Sequence, residues 1–181
     1  MSRIGRAPIT LPAGVTLDKN TEGEVIVTGP KGTLRQWVDS CITVTVEGNI
    51  VHLTRNSEEN EVKAKHGLYR ALIANMVKGV SEGYTKSVTI SGIGYKCAVQ
   101  GNKIVLNIGF SHPVNMEIPK GITATCPSAT EIAISGIDKT AVGQFAADLK
   151  ALKKPDPYHG YGIFYTGEAI RRKEIKKGKK K

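Results

Sequence analysis

Glu24-Val-Ile-Val-Thr-Gly29 is repeated, with conservative changes, as Glu131-Ile-Ala-Ile-Ser-Gly136, 107 residues further along the chain. Both stretches are rich in β-branched residues and end at a glycine, which is typical of a short strand followed by a turn. The same offset, without a gap, aligns Pro12, Gly14, Val15 and Thr16 with Pro119, Gly121, Ile122 and Thr123. Two matching blocks at one offset indicate an internal duplication.

Strand and helix patterns surround these repeats. Two hairpins are predicted, with turns at Glu47-Gly48-Asn49 and Gln100-Gly101-Asn102, because Gly and Asn accept the positive φ that tight turns require. A helix is predicted from about Glu59, and its apolar stripe consists of Leu68, Tyr69, Leu72, Ile73, Met76, Val77 and Val80. A second helix is predicted after Asp138 and ends before Pro155.

The order of hairpin and helix differs around the two repeats, so the copies are expected to be permuted or strand-exchanged rather than simple tandem units. We therefore predict an α+β fold of two duplicated small domains. Each is expected to be a mostly antiparallel β-sheet packed against one α-helix. The predicted boundaries are residues 1–82 for the N-terminal domain, 83–170 for the C-terminal domain and 171–181 for a basic tail.

Positive charge is concentrated near the C-terminus of this 181-residue chain, whose formal net charge is +10. Residues 1–138 contain 14 Lys and Arg against 12 Asp and Glu, whereas residues 139–181 contain 12 against 4. Each neutralised phosphate releases counterions, so a concentrated positive field favours a polyanion. This distribution predicts a polyanion-binding face near the C-terminus. The nearly neutral charge of the N-terminal domain favours a position that mainly faces solvent and passing factors over one in contact with RNA, and both positions stay open here.

No local pattern indicates catalysis, a metal or a dinucleotide. Gly92-Ile-Gly94 begins like a dinucleotide fingerprint, but Cys97 occupies the third glycine position and the following segment alternates like a strand. Ser111-His112 has no recognised orienting acid, and His112 is interpreted as a turn residue. The cysteines are odd in number and widely separated, which predicts reduced thiols: Cys41, Cys97 and Cys126.

Membrane insertion and secretion are also not indicated. No stretch approaches the run of about 18 apolar residues that a membrane helix needs. Pro8 and Pro12 interrupt any apolar core of a signal peptide. We expect a cytoplasmic protein with no membrane partner, no small-molecule substrate, no cofactor and no enzymatic activity.

The segment from Lys150 to Tyr165 is the main candidate for RNA contact. After three lysines it continues as Pro155-Asp-Pro-Tyr158-His-Gly-Tyr161-Gly-Ile-Phe164-Tyr165. Glycine allows close approach, tyrosine offers stacking faces and lysine supplies charge, which together suit folded RNA. A strand through Ile163 and Tyr165 that packs on the sheet is the alternative.

Two further basic features are candidates for phosphate contact. Residues 171–181 carry eight basic residues and one acidic residue, so this tail is expected to be disordered alone and to order along phosphates. Lys139 stands at the predicted start of the second helix, where a phosphate is favoured by the helix dipole.

Several motifs occur in the order that one protein family shows. They are Ser2-Arg-Ile-Gly5 with Pro8-Ile9, Gly29-Pro-Lys-Gly32, His66-Gly67 with Arg70, Asn75-Met-Val-Lys-Gly-Val80, Gly92-Ile-Gly-Tyr-Lys96, Gly109-Phe-Ser-His-Pro-Val114, Ile118-Pro-Lys-Gly-Ile122, Gly136-Ile-Asp-Lys139 with Gly143-Gln144, and Lys154-Pro-Asp-Pro-Tyr158. Along nearly its whole length the chain resembles the bacterial-type large-subunit ribosomal protein L-six family.

The resemblance implies a structural constituent of the large ribosomal subunit that binds large-subunit ribosomal RNA. It implies a position near the subunit interface at the base of the lateral stalk, with neighbouring large-subunit proteins as partners and translation GTPases transiently nearby. It implies no cofactor and no catalysis. The predicted rRNA-binding residues are Lys139, Lys150, Lys153, Lys154, Tyr158, His159, Gly160, Tyr161, Gly162, Arg171, Arg172, Lys173, Lys176, Lys177 and His112.

The chain departs from the family pattern in one place. After Pro-x-x-Tyr the family usually has Lys-Gly-Lys-Gly-Ile-Arg-Tyr, where this chain has His159-Gly-Tyr161-Gly-Ile-Phe164-Tyr165. Phosphate contacts are therefore not carried over to His159, Tyr161 and Phe164, which are expected to stack or hydrogen bond. Two other classes are considered: an RNA-modifying or RNA-hydrolysing enzyme with a basic patch, and an architectural nucleic-acid binder outside ribosomes.

Overall fold

The computed structural model describes residues 3–20 and 23–174, which contain three helices and thirteen strands. Their bounds in chain order are α1 Arg3–Arg6, β1 Ile9–Thr10, β2 Thr16–Lys19, β3 Glu24–Gly29, β4 Gly32–Trp37, β5 Ile42–Glu47, β6 Ile50–Arg55, α2 Asn60–Ser81, β7 Tyr84–Ser91, β8 Lys96–Gln100, β9 Lys103–Asn107, β10 Val114–Glu117, β11 Ile122–Ser128, β12 Glu131–Gly136, α3 Lys139–Leu152 and β13 Gly162–Tyr165. Lys176, Lys177 and the rest of the predicted tail from residue 175 lie outside the described residues. Within the described ranges, no helix is long and apolar enough to cross a membrane.

The chain divides into two compact units. The first comprises the described residues up to Tyr84 together with Ile137–Lys139, and the second comprises Thr85–Gly136 with the described residues from Thr140 onward. The first unit contains α2 and two sheets with strand orders β1-β6-β5 and β2-β3-β4. The second contains most of α3 and two sheets with orders β10-β9-β8 and β11-β12-β7-β13. The α+β prediction is confirmed, with two sheets in each unit where one was expected.

The duplication is visible in strand register. Thr16 pairs with Thr28 in the first unit, and Thr123 pairs with Ser135 in the second, at the offset of 107 seen in the sequence. Where these strands begin, the amide of Val15 donates to the carbonyl of Pro12 at 3.1 Å, and the amide of Ile122 makes the equivalent bond to Pro119 at 3.2 Å. The two copies therefore share these hydrogen bonds as well as the register of the repeated strand pair.

Permutation of the copies is visible at their hairpins. The hairpin β5–β6 follows the repeated strand pair β2–β3, whereas the hairpin β8–β9 precedes β11–β12. Even so, the amide of Leu11 donates to the carbonyl of Asn49 at 2.8 Å, and that of Ile118 donates to Asn102 at 2.9 Å. Each repeated segment thus reaches the turn of its own hairpin, although the chain order is different.

The hairpin turns correct one detail of the sequence prediction. Gly48 has a φ of 60° and Gly101 a φ of 59°, but no described residue other than glycine has a positive φ. Asn49 and Asn102 therefore do not adopt the conformation that was expected of them. Positive φ at the first central position alone is the pattern of a type II′ turn, which needs glycine only there.

Helix α2 buries a stripe that includes Val62, Ile73, Val77 and Val80 against the strands of the first unit. Leu68, which was predicted to belong to this stripe, is 54% exposed. Successive residues of a helix are about 100° apart, so Leu68 lies about 140° around the helix from Ile73. The prediction for Leu68 was wrong, because this residue is apolar but lies on the face of the helix that points away from the buried stripe.

The core of the second unit fixes the position of the C-terminal strand. Phe145 and Leu149 of α3 and Ile163 of β13 are 2% exposed or less. Strand β13 pairs antiparallel with β7, and Ile163 lies opposite Ile90. The strand that was the alternative interpretation of Ile163 and Tyr165 is therefore present. Because β13 is the edge strand of its sheet, the loop that precedes it lies at that edge. The three cysteines are free thiols, as predicted.

Candidate nucleic-acid interface

Residues 155–161, here called the connecting loop, lie between α3 and β13 and are closed by their own hydrogen bonds. The amide of Asp156 donates to the carbonyl of Tyr161 at 2.9 Å, and the amide of Gly160 donates to the carbonyl of Asp156 at 2.8 Å. At the base of the loop, the amide of Ile163 donates to the carbonyl of Lys153 at 2.8 Å. These bonds hold the backbone in shape before any ligand binds, which lowers the entropy cost of recognition.

Gly162 allows the two ends of the connecting loop to pass close together. A Cβ built on Gly162 would lie 2.6 Å from Cα of Pro155 and 2.8 Å from the carbonyl oxygen of Lys154. Those neighbours are backbone atoms, which cannot move aside as a flexible side chain does. Gly162 is itself buried, so it does not present a contact surface, and it acts on the candidate site only by determining the backbone path of the loop.

Three aromatic rings of the connecting loop are open to solvent. Tyr158 is 48% exposed and Tyr161 is 38% exposed. The rings of His159 and Tyr161 stack on each other, with centroids 5.6 Å apart and planes inclined by 21°. Exposed, preformed rings are suitable surfaces for stacking by other flat groups.

Asp156 orients the histidine of this pair. Its Oδ2 accepts the backbone amide of His159 at 2.8 Å and lies 3.0 Å from Nδ1 of the same residue. The backbone N–H of His159, and then its ring, hold the pKa of the Asp156 carboxyl below its usual range. The carboxylate is therefore ionised at neutral pH and fixes both the loop and the ring.

The beginning of the basic tail is joined to the connecting loop. The amide of Lys173 donates to the carbonyl of Pro157 at 2.8 Å. The guanidinium of Arg172 lies beside Gly160, where a built Cβ would be 3.2 Å from Nη2. Gly160 has a φ of 76° and is buried beneath this contact. The sequence treated loop and tail as separate contacts, whereas the structure brings Arg172 and Lys173 to the loop.

Lys150 is engaged inside the second unit. Its Nζ lies 2.6 Å from Oε1 of Glu168 and 4.5 Å from the centroid of the Tyr165 ring. Lys86 contacts the same ring, with Nζ 3.9 Å from the centroid. The hydrogen bond from Lys150, and then one from the amide of Tyr165, lower the pKa of Glu168. Two cations and one carboxylate thus surround Tyr165.

Lys153 and Lys139 also have partners within the protein. Nζ of Lys153 donates to the carbonyl of Ile108 at 2.7 Å. Nζ of Lys139 donates to Oδ1 of Asn75 at 3.2 Å, within the first unit. A phosphate would have to share or replace these bonds.

The remaining predicted cations of the described segment are exposed to solvent: Lys154, Arg171, Arg172 and Lys173. Nζ of Lys154 and the guanidinium of Arg171 have no hydrogen-bond or ion-pair partner in residues 3–20 and 23–174. His112 is exposed between β9 and β10, and its Nδ1 lies 3.4 Å from Oγ of Ser111. In those same ranges, no group of three or more His, Cys, Asp or Glu is placed to hold a metal ion.

Three residues that shape this region were not predicted. Asp156 stands between two prolines, where a side chain that caps a turn is common, so its role could have been inferred. Glu168 and Lys86 had no such signal, because their contacts with Lys150 and Tyr165 join distant parts of the sequence.

Comparison with known proteins finds two matches to one family model, described as ribosomal protein L6, at residues 11–83 and 91–166. The chain is 51% identical to a large ribosomal subunit protein uL6 of Clostridium kluyveri over 180 residues, which cover 99% of this chain and all of that protein. It is 51% identical over 180 residues to the uL6 protein of Lactiplantibacillus plantarum and 46% identical over 179 residues to that of Alkaliphilus metalliredigens, with the same coverage in each case.

Proposed function

Because the chain belongs to the ribosomal protein L6 family and is a structural constituent of the large ribosomal subunit rather than an enzyme, we propose that it binds large-subunit ribosomal RNA. The contact surface is the connecting loop together with the cations beside it. The RNA is held by charge and by shape, without chemical change.

The observation that carries this proposal is the arrangement around the connecting loop. Exposed rings of Tyr158, His159 and Tyr161 lie on a backbone that is closed by hydrogen bonds. Lys173 is fixed to this loop through Pro157, and Arg172 lies against Gly160. Cations bind phosphates and aromatic rings stack on bases, so this surface combines both elements of RNA recognition.

We also infer which parts of the chain bind RNA and where in the large subunit the protein lies. Residues 83–170 form the main RNA-binding domain, and the basic segment 171–181 extends the contact along phosphates. Residues 1–82 mainly face solvent and passing factors, in keeping with their near-neutral charge. In the cytoplasm the protein lies at the base of the lateral stalk, beside neighbouring large-subunit proteins and near the RNA that translation GTPases approach.

Sucrose-gradient fractionation of cell extracts tests the assembly. The tagged full-length chain should sediment with the large subunit and with whole ribosomes. Residence in the light fractions alone would contradict the proposal and would favour an architectural nucleic-acid binder outside ribosomes.

Titration of the purified chain tests the direct contact. A large-subunit ribosomal RNA transcript should bind more tightly than a small-subunit transcript of similar length, and log Kd should rise linearly with log salt concentration. Truncation after residue 170 should weaken binding and reduce the salt slope. Equal affinity for both transcripts, or a slope unaffected by truncation, would contradict this placement of the contact.

A further inference from the structure

The pair formed by His159 and Tyr161 is arranged as a platform. Each ring has one face turned towards its partner, with centroids 5.6 Å apart. Tyr161 is still 38% exposed and the side chain of His159 is 60% exposed, so flat surface is available to another planar group. The connecting loop is already closed by hydrogen bonds, so little further ordering is needed when a ligand binds.

The contacts of His159 make a phosphate an unsuitable ligand at this point. Nδ1 of the ring lies 3.0 Å from Oδ2 of Asp156, so this nitrogen already has a partner. The adjacent carboxylate also repels a phosphate. Tyr161 has no cationic group, and the cations nearest in the loop region are Arg172, which lies beside Gly160, and the exposed Lys154 at the start of the loop.

We propose that the His159–Tyr161 pair is a stacking site for a single unpaired nucleobase of the RNA, with Arg172 and Lys154 contacting the phosphates on either side. Every base presents a flat π-surface, and unstacked bases in loops are commonly bound by aromatic side chains. This inference rests on the proposed function and specifies how the RNA is held at one site.

Salt dependence separates stacking from charge in the full-length protein. The probe is a large-subunit ribosomal RNA transcript, titrated at several salt concentrations. Tyr161→Ala should weaken binding about 5- to 150-fold, since loss of one base–aromatic stack has an effect of this size. Its slope of log Kd against log salt should equal that of the wild type. The control Lys154→Ala should instead reduce the slope by about 0.7–0.9.

Two more variants test whether the aromatic ring of Tyr161 is what binds the RNA. Tyr161→Phe keeps the ring without the hydroxyl and should bind within about twofold of the wild type, because stacking needs only the π-surface. Tyr161→Leu keeps apolar bulk without the ring and should behave like Tyr161→Ala. Because Leu fills most of the space, it also controls for misfolding, which thermal unfolding of each variant checks directly.

The outcomes are distinct. If Tyr161→Phe weakens binding as much as Tyr161→Ala, the hydroxyl makes the contact and stacking is excluded. If Tyr161→Ala and Tyr161→Leu bind like the wild type, or change the salt slope, the stacking site is also excluded, while RNA binding itself stands. If the wild type does not prefer the large-subunit transcript over a small-subunit one, the proposed function fails and the stacking site with it.

Discussion

The ammonium group of Lys153 donates a hydrogen bond to the carbonyl oxygen of Ile108 at 2.7 Å. This bond joins the residue that follows α3 to the segment that follows β9. The same Nζ lies 4.9 Å from the ring centroid of Phe110 and 5.1 Å from that of Tyr95. Lys153 therefore stabilises the fold beneath the connecting loop, in addition to any contact that it makes with RNA.

Replacement of Lys153 by Ala should destabilise the protein. The loss of a charged hydrogen bond and of two cation–π contacts at a half-buried position should lower the free energy of unfolding by about 1–2 kcal/mol. Urea unfolding followed by circular dichroism measures this difference. The matched control is Lys154→Ala, because Lys154 is exposed and should change stability by less than about 0.5 kcal/mol. Equal stability of the two variants would show that the contacts of Lys153 contribute nothing.

Gly162→Ala should be far more damaging than another glycine substitution in the same unit. The added Cβ would lie 2.6 Å from Cα of Pro155, so the backbone must shift, at a cost of about 1–3 kcal/mol. Gly143→Ala is the control, because its Cβ would meet nothing within 4 Å and alanine is the better helix former. That change should stabilise α3 by up to about 1 kcal/mol. Thermal unfolding of both variants gives the comparison, and a neutral Gly162→Ala would contradict the close approach.

Local sequence patterns were sufficient to predict the duplication, the hairpins and both long helices. Alternation of apolar residues and the spacing of glycines are set by backbone geometry, so these features depend on short stretches of chain. The offset of 107 residues even matches the register in which Thr16 meets Thr28 and Thr123 meets Ser135. The error at Leu68 arose because one apolar residue outside the stripe was read as part of it.

Local sequence patterns could not predict which of the candidate cations form hydrogen bonds or ion pairs within the protein. Whether a lysine is exposed or paired depends on residues that are distant in sequence, such as Glu168 for Lys150 and Ile108 for Lys153. The meeting of Arg172 with Gly160 likewise depends on the path of the chain after β13. Charge composition gives the position of a basic region in the sequence, but it does not say which cations are already hydrogen-bonded or ion-paired within the protein.

The Lys150–Glu168 ion pair should give stability a specific dependence on pH. The pKa of Glu168 is lowered in the folded protein, so the carboxylate stabilises the fold above its unfolded pKa of about 4.3 and loses this effect as the pH falls through the lower folded value. The wild type should therefore have a higher Tm than Glu168→Gln near neutral pH. The two Tm values should converge in acid.

A double-mutant comparison tests whether the stabilising effect of the Glu168 carboxylate comes from its ion pair with Lys150. Glu168→Gln should cost less stability in a Lys150→Met background, because the main partner of the carboxylate is then absent. A residual effect is expected from the bond that Glu168 accepts from the amide of Tyr165. An unchanged cost in that background, or a Tm difference that persists in strong acid, would show that Lys150 is not the cause of the lowered pKa.

The same ion pair predicts that Lys150 and Lys154 differ as RNA contacts. Glu168 lies within 2.7 Å of the Lys150 ammonium and largely neutralises it, whereas Lys154 is exposed and has no ion-pair partner within residues 3–20 and 23–174. Lys154→Met should reduce the slope of log Kd against log salt by about 0.7–0.9, and Lys150→Met should reduce it by much less. Titration with the large-subunit transcript measures both slopes. Equal reductions would mean that the ion pair opens when RNA binds, and Lys150 would then be a phosphate ligand as the sequence predicted.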